Sequence, residues 1–552
     1  MFGTLVLFIA VLCVACVRVL YILTYPLNNI GGDTSNYYYM LINGTTNLIH
    51  ASGYPFLVGS IARFIFGPGE VSSPAYSFAV LATQHAIEVV TLGAIAFVVR
   101  KIFGVVTALI FLLLAGCSVF AMSWTAAAYP EWLQGCLLLI TLCLVAGAIS
   151  CKSLLPKFLI YVLAFLAFAW AYLTKYNSGV FLPLFLISLV AEYRAVGLKA
   201  AWFLLAPVPA LASVFLFIVN VHLPSSGTMA LHHDAGWVLT TGLPDAFLND
   251  PGPYGLQWLA LSATVPPAYD RAWAWRRVDD PPKPGEEAAV EKYKAEYLRL
   301  SRLSPAELKA FLNEHPLPKG FILGNSAIPI YAFIGLEAGD KLGTKVFIEY
   351  VTHHPIALIK SVIRKSRTYA LTDLTYSLVP GSLDGLVKLP DPKLASGFAL
   401  FSSTLPPQLT RYQSSPAMMF WEPGIAFFET LSQWRPGRTF ELGCSALSLI
   451  WAMAVTIYRR RLTLGPGIVF ALVIALPALV VASNIILIFR DKEVRALWPL
   501  ACLFWAAGIG SLVQLILLWF YGAVGSMRAK NSFETLGPGA PFAQGTYGSS
   551  KS

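Results

Sequence analysis

Ten runs of apolar residues, most of them about twenty long and with few charges inside them, decide what this chain can fold into. A hydrocarbon core about 30 Å thick is crossed by roughly 20 residues of helix, and with no water there each backbone polar group must find its partner within the element. The runs cover 2–25, 76–99, 105–122, 132–149, 158–173, 179–190, 200–221, 442–458, 465–489 and 497–521. The sixth is the shortest and carries Pro183. Composition agrees, with 57% apolar and 12% charged residues against roughly 25% charged in an ordinary soluble domain. The expected fold is an α-helical polytopic membrane protein of about ten transmembrane helices. The first run is too long for a signal-peptide core and lacks a basic leader, so it reads as an uncleaved anchor.

Lys and Arg near membrane ends stay on the cytoplasmic side, which sets the orientation. Arg100 and Lys101, Lys152 and Lys157, Arg194 and Lys199, Arg459 to Arg461, and Arg528 with Lys530 fall on every second connection and on the tail. The other side then receives the loop around Asp33, the turn at Glu131, the turn at Lys175, the polar stretch 222–441 and the loop 490–495. The expected organisation is an N-terminal membrane module (1–221), an outer-face α or α/β soluble domain (222–441), C-terminal membrane helices (442–521) and a disordered Gly/Ser/Pro-rich tail (522–552). A cysteine placed at Asp280 is therefore expected to react with an impermeant thiol reagent on intact cells, and one at Arg460 only after lysis. The reverse pattern would overturn the orientation.

The net charge of +10 calls for no nucleic-acid partner, because the cytoplasmic loops supply most of it. Seven of the eight cysteines lie inside apolar runs and Cys151 lies at the edge of one, a pattern that indicates neither a disulfide framework nor a zinc site. Asp279 to Glu314 alternates Lys, Glu and Arg like a solvated helix. Phe347, Val351, Leu358 and Val362, with Lys360, Arg364, Lys365 and Arg367 close by, suit a helix on the bilayer surface broken at Pro355, or a core helix with a basic outer face.

Asp33 is the first acidic residue of the chain, just past the first run and after a Gly pair. It either caps a short helix or stands as a carboxylate at the water boundary. His222, His232, His233 and Asp234 match no zinc spacing and read as loop histidines or a phosphate contact.

Gly32, Asp33 and Tyr37, then Gly53-Tyr54-Pro55, Tyr129-Pro130-Glu131, Leu173-Thr174-Lys175-Tyr176, Phe347-Ile348 with His354-Pro355, and Glu493-Val494-Arg495 follow one another along the outer loops. In that order they resemble the GT-C glycosyltransferases, and within them the bacterial branch related to protein mannosyltransferases and the lipid A aminoarabinose transferase. The chain departs from that pattern at Thr34, where some members carry a second acid, and at Ala496, where an aromatic is expected.

The resemblance implies an inverting transfer of a hexosyl or pentosyl unit from a polyprenyl-phosphate donor to an envelope acceptor, at the outer face of the inner (plasma) membrane. Its implied site has Asp33 as general base and Glu131 as a second acid. Lys175 and Arg495, with His232 or His233, meet the donor phosphate, and Tyr37 and Tyr54 sit in the substrate loops. A divalent cation shared by Asp33 and Glu131 is an alternative. Read as residues alone, Glu131 also suits a first-turn glutamate, and Lys175 and Arg495 also suit helix-end snorkelling. The competing classes are a transporter or lipid-linked-glycan flippase, which would be expected to show a hydropathy repeat, and a noncatalytic envelope scaffold.

Overall fold

The computed structural model describes residues 2–25, 37, 40–41, 44, 46, 51–67, 74–126, 129–231, 235–265, 285, 287–317, 321, 323–371, 423–433, 438–459, 465–474, 476 and 499–517. Each of the ten apolar runs contains helix, as a backbone without water to bond to requires. Among the described residues, seven helices are long and apolar enough to cross a membrane: Phe2–Thr24, Glu131–Ser150, Leu154–Thr174, Tyr176–Arg194, Gly197–Ser226, Phe440–Arg459 and Pro499–Leu517. The protein is a polytopic α-helical membrane protein.

Side-chain faces show the solvent these helices are built for. On Phe2–Thr24 an apolar stripe of Leu5, Phe8, Ile9, Leu12 and Val19 points outward, while Leu7, Val14, Tyr21 and Ile22 pack inward. Leu155, Leu159 and Leu163 do the same on Leu154–Thr174, opposite the buried Tyr161, Ala164 and Phe165. Each such residue left in water would forgo about 1.5–3 kcal/mol of burial, a cost that lipid removes. Glu131–Ser150 is the most enclosed of the spans; Leu138, Leu139 and Leu142 join a core that also takes in Phe111, Leu92 and Trp505.

The third run does not form one straight span. Val105–Gly116 ends at Cys117, and a short helix, Val119–Thr125, follows before the Glu131 helix begins. Pro183, a breaker inside the sixth run, sits in the first turn of Leu182–Val196, where its missing N–H costs nothing. Lys157, one of the charges used to orient the loops, is buried in an ion pair with Glu192 at 2.6 Å, which fastens Leu154–Thr174 to Leu182–Val196.

A second core lies in the polar middle of the chain, where the described regular elements are all helical. Trp258, Phe247, Ile330, Phe333, Val346 and Tyr350 form its centre. Leu336–His353 is its spine. Its carboxylates meet helix N-termini, whose first amides lack intrahelical acceptors. Asp340 Oδ1 accepts from Gly236 N at 2.6 Å, and Glu349 Oε2 accepts from Tyr254 N at 2.8 Å. The charged stretch read as one solvated helix is two, Glu287–Leu300 and Pro305–Glu314; Ser304 and Glu307 form a reciprocal capping box at the start of the second. These helices also bury Val290, Tyr293, Leu300 and Leu308.

Pro355–Leu371 turns its faces opposite to the surface-helix expectation. Leu358 and Val362, assigned there to lipid, are buried, whereas Ile356, Ile359 and Ile363 are exposed beside the exposed Lys360 and Arg364. Lys365 and Arg367 carry side chains outside the described set.

Candidate functional site

Two successive antiparallel helices build the centre of the site. Glu131–Ser150 and Leu154–Thr174 are joined by the short link 151–153, so the N-terminus of one lies beside the C-terminus of the other. A helix N-terminus favours an anion and a C-terminus a cation. The sequence puts Glu131 at the first position of the former and Lys175 at the cap of the latter. They pair, Lys175 Nζ donating to Glu131 Oε1 at 2.6 Å, with the Glu131 side chain 2% exposed and that of Lys175 17% exposed.

One turn further along, on the same helix face, Gln134 Nε2 donates to Asn177 Oδ1 at 2.5 Å and to Ser178 Oγ at 2.8 Å. Ser178 passes its own proton to Ala171 O at 3.0 Å, so Gln134 must be the donor to Ser178 and its amide orientation is fixed. The turn after Lys175 is thus bound to the Glu131 helix at two points.

Gly53–Phe66 closes the third side. A Cβ at Gly53 would lie 2.6 Å from the Leu173 carbonyl carbon and 2.7 Å from Thr174 N, so only glycine lets this helix start against the end of Leu154–Thr174. Tyr54 follows, fully buried, its ring 5.9 Å from Tyr37 and 6.2 Å from Trp132, and its hydroxyl accepts from Gln84 Nε2 at 2.8 Å. Gly53→Ala is expected to cost about 1–3 kcal/mol, the usual penalty of overpacking, read as a lower thermal midpoint in detergent; an unchanged midpoint would mean that the two helix ends are not in contact.

Tyr176 extends the site toward the polar middle, its hydroxyl donating to Leu231 O at 3.0 Å. His222 Nε2 bonds Ala230 O at 2.7 Å; a carbonyl only accepts, so Nε2 carries the proton and His222 serves to hold this segment. Three polar atoms near the pair, Trp132 Nε1, Gln134 Oε1 and Thr174 Oγ1, are buried and have no hydrogen-bond partner among the described residues. Trp132 and Thr174 adjoin Glu131 and Lys175 in sequence, and Gln134 is one turn away.

Of the residues named from the sequence, the structure brings Tyr37, Tyr54, Glu131 and Lys175 into one neighbourhood. Asp33, His232, His233 and Arg495 lie outside the described residues. His354 belongs to the other core, where its Nε2 stands 3.1 Å from Asp250 Oδ2. The sequence reading missed Gln134, Asn177, Ser178 and Gln84, polar residues inside or beside apolar runs whose only signal was their polarity. It also missed the Gly53–Phe66 helix, whose Tyr54, Val58 and Ala62 repeat at helical spacing on the buried side.

Among the described residues, no group of three or more His, Cys, Asp and Glu is placed to hold a metal ion. The Lys175 ammonium already compensates Glu131. The cation expected between Asp33 and Glu131 involves Asp33, which lies outside the described residues.

No family model matches the chain, and none of the curated proteins matches it. Among solved structures it is similar to the crystal structure of ArnT from Cupriavidus metallidurans in the apo state, at 12% identity over 91% of this chain and 77% of that chain, with a TM-score of 0.31.

Proposed function

We propose that the chain is a GT-C-type glycosyltransferase of the inner (plasma) membrane, moving a hexosyl or pentosyl unit with inversion from a polyprenyl-phosphate donor to an envelope acceptor at the outer face. The observation that carries this reading is the convergence of three motifs far apart in sequence on the buried Glu131–Lys175 pair. A lipid-linked donor needs a cation for its phosphate, uncharged polar groups for its sugar and an apolar surface for its tail. Lys175, the buried Trp132, Gln134 and Thr174, and the lipid-facing stripes of the neighbouring helices supply these in turn.

In the proposed reaction the acceptor oxygen gives its proton to Asp33 and bonds to the anomeric carbon, while the carbon–oxygen bond to phosphate breaks and the phosphate leaves with the electron pair. A single displacement of this kind inverts the anomeric centre. Tyr37 follows Asp33 by four residues, a tether no longer than about 14 Å. Lys175 faces the charge that grows on the leaving phosphate, its ammonium held on Glu131 Oε1. Glu131 fixes the ammonium in place. Arg495, with His232 or His233, is assigned to the same phosphate by the resemblance alone.

The reading is tested with purified protein in lipid nanodiscs, given radiolabelled polyprenyl-phosphate hexoses and pentoses and an envelope extract as acceptor. Label is expected to move to the extract in a time- and protein-dependent way. Movement of the intact donor across the bilayer without transfer would instead favour the flippase alternative.

A further inference from the structure

Below the site, a second polar cluster lies within the apolar helices. Arg18, six residues before the end of Phe2–Thr24 and so about 9 Å down the helix, is 1% exposed. Its Nε donates to Gly116 O at 2.9 Å and its Nη2 to Ala115 O at 3.4 Å, the last two carbonyls of Val105–Gly116. Its Nη1, with two N–H groups, is shared among three acceptors: the Glu88 carboxylate, Thr125 Oγ1 at 3.3 Å and His85 Nδ1 at 3.2 Å. Thr125, the last residue of Val119–Thr125, also donates to Glu88. Gly116 permits this arrangement: a Cβ there would meet Val14 Cγ1 at 2.7 Å, so a larger residue would hold the Arg18 helix off the carbonyls.

The chemistry of the cluster is set by its donors. Arginine cannot accept a hydrogen bond, so His85 Nδ1 does, the ring proton sits on Nε2, and His85 is neutral. The cluster therefore holds one cation and one anion. A buried ion pair is weak evidence for stability, since well-packed apolar residues commonly do as well, and in lipid a methionine would avoid the desolvation of Arg18. What an apolar side chain cannot do is bond the ends of two helices and a third helix at once, which is the use of a planar fork of donors.

We propose that Arg18 is a positioning residue for Glu131. It ties the end of Val105–Gly116 to the end of Val119–Thr125, across the break at Cys117, and braces both on Glu88. Glu131 follows Thr125 by only six residues in the sequence, with Tyr129 and Pro130 immediately before it, and over so short a tether the brace bears on where the Glu131 carboxylate meets Lys175. Its consequence for sugar transfer rests on the transferase reading; the geometric claim does not.

The test is the rate at which acetyl N-hydroxysuccinimide ester modifies Lys175 in the full chain in nanodiscs, read by mass spectrometry, with buried Lys157 as internal reference. Glu131→Gln, which weakens the pair directly, is expected to speed Lys175 modification several-fold. Arg18→Met is expected to approach that rate and Thr125→Val to fall between, with Lys157 still protected. Arg18→Lys keeps the charge but loses the fork, and is expected not to restore protection. Wild-type protection of Lys175 in Arg18→Met, or full protection in Arg18→Lys, would overturn the proposal. So would a parallel rise at Lys157 in Thr125→Val, which would mean general loosening. Should Arg18→Met fail to fold, Thr125→Val decides, a wild-type rate there overturning it. Unchanged Lys175 reactivity in Glu131→Gln would remove the pair the proposal stands on. None of these rates depends on sugar transfer.

Discussion

Lys175→Ala is expected to destabilise the folded chain by about 3 kcal/mol, because it breaks a buried ion pair by removing one partner. Such losses run from about 3 to 5 kcal/mol; the partial exposure of the Lys175 side chain, 17%, places this one at the lower end. The Glu131 carboxylate, 1% exposed, then loses its Lys175 partner. The double variant Glu131→Gln with Lys175→Met removes both charges and keeps most of the volume. It should recover most of the loss, so the two changes are strongly non-additive in a double-mutant cycle. Thermal unfolding of wild type, Glu131→Gln, Lys175→Met and the double variant in one detergent measures this. Additive losses would mean that the two side chains are not paired.

Asp33→Asn should have the larger effect on rate, with transfer falling by roughly two to four orders of magnitude, the usual contribution of a general base, in a protein of unchanged thermal midpoint. The amide keeps the shape and hydrogen-bonding reach of the carboxylate but cannot take the acceptor proton. Lys175→Ala should instead raise KM as well as lower kcat, since a phosphate contact exists before and during the transition state. Steady-state rates against donor concentration separate the two. Near-normal transfer by folded Asp33→Asn would return Asp33 to the helix-capping reading.

Much of this architecture is legible in the sequence, for identifiable reasons. Apolar runs of membrane length can only be helical, so each of the ten contains helix where described. Tyr54, Glu131 and Lys175 stood out because a polar or small-residue motif marks where an apolar run ends. Their convergence was expected of Asp33 and Glu131 as two carboxylates; among the described residues it takes the form of Glu131 with Lys175. The reason lies in two antiparallel helices that put opposite dipole ends side by side. Arg18 and Glu88 stand as charged residues inside the apolar runs 2–25 and 76–99, but their union with Thr125 was not legible. They come from three helices, and a contact between residues 107 positions apart leaves no spacing rule. The sequence left two readings of Pro355–Leu371 open for a related reason: isoleucines and buried aliphatics alternate around that helix, and only its packing on Leu336–His353 tells that Leu358 and Val362 are the covered set, as in the core-helix alternative.

The central claim is that the Glu131–Lys175 pair serves transfer rather than holding two helices together, and the charge-free double variant, Glu131→Gln with Lys175→Met, tests it most directly. In this protein stability and chemistry come apart. A role in phosphate stabilisation predicts a thermal midpoint near wild type with transfer from the polyprenyl-phosphate donor reduced at least about a hundredfold, the loss typical of a missing electrostatic contact in a transition state. Transfer at the wild-type rate by this variant, with the fold intact, would contradict it.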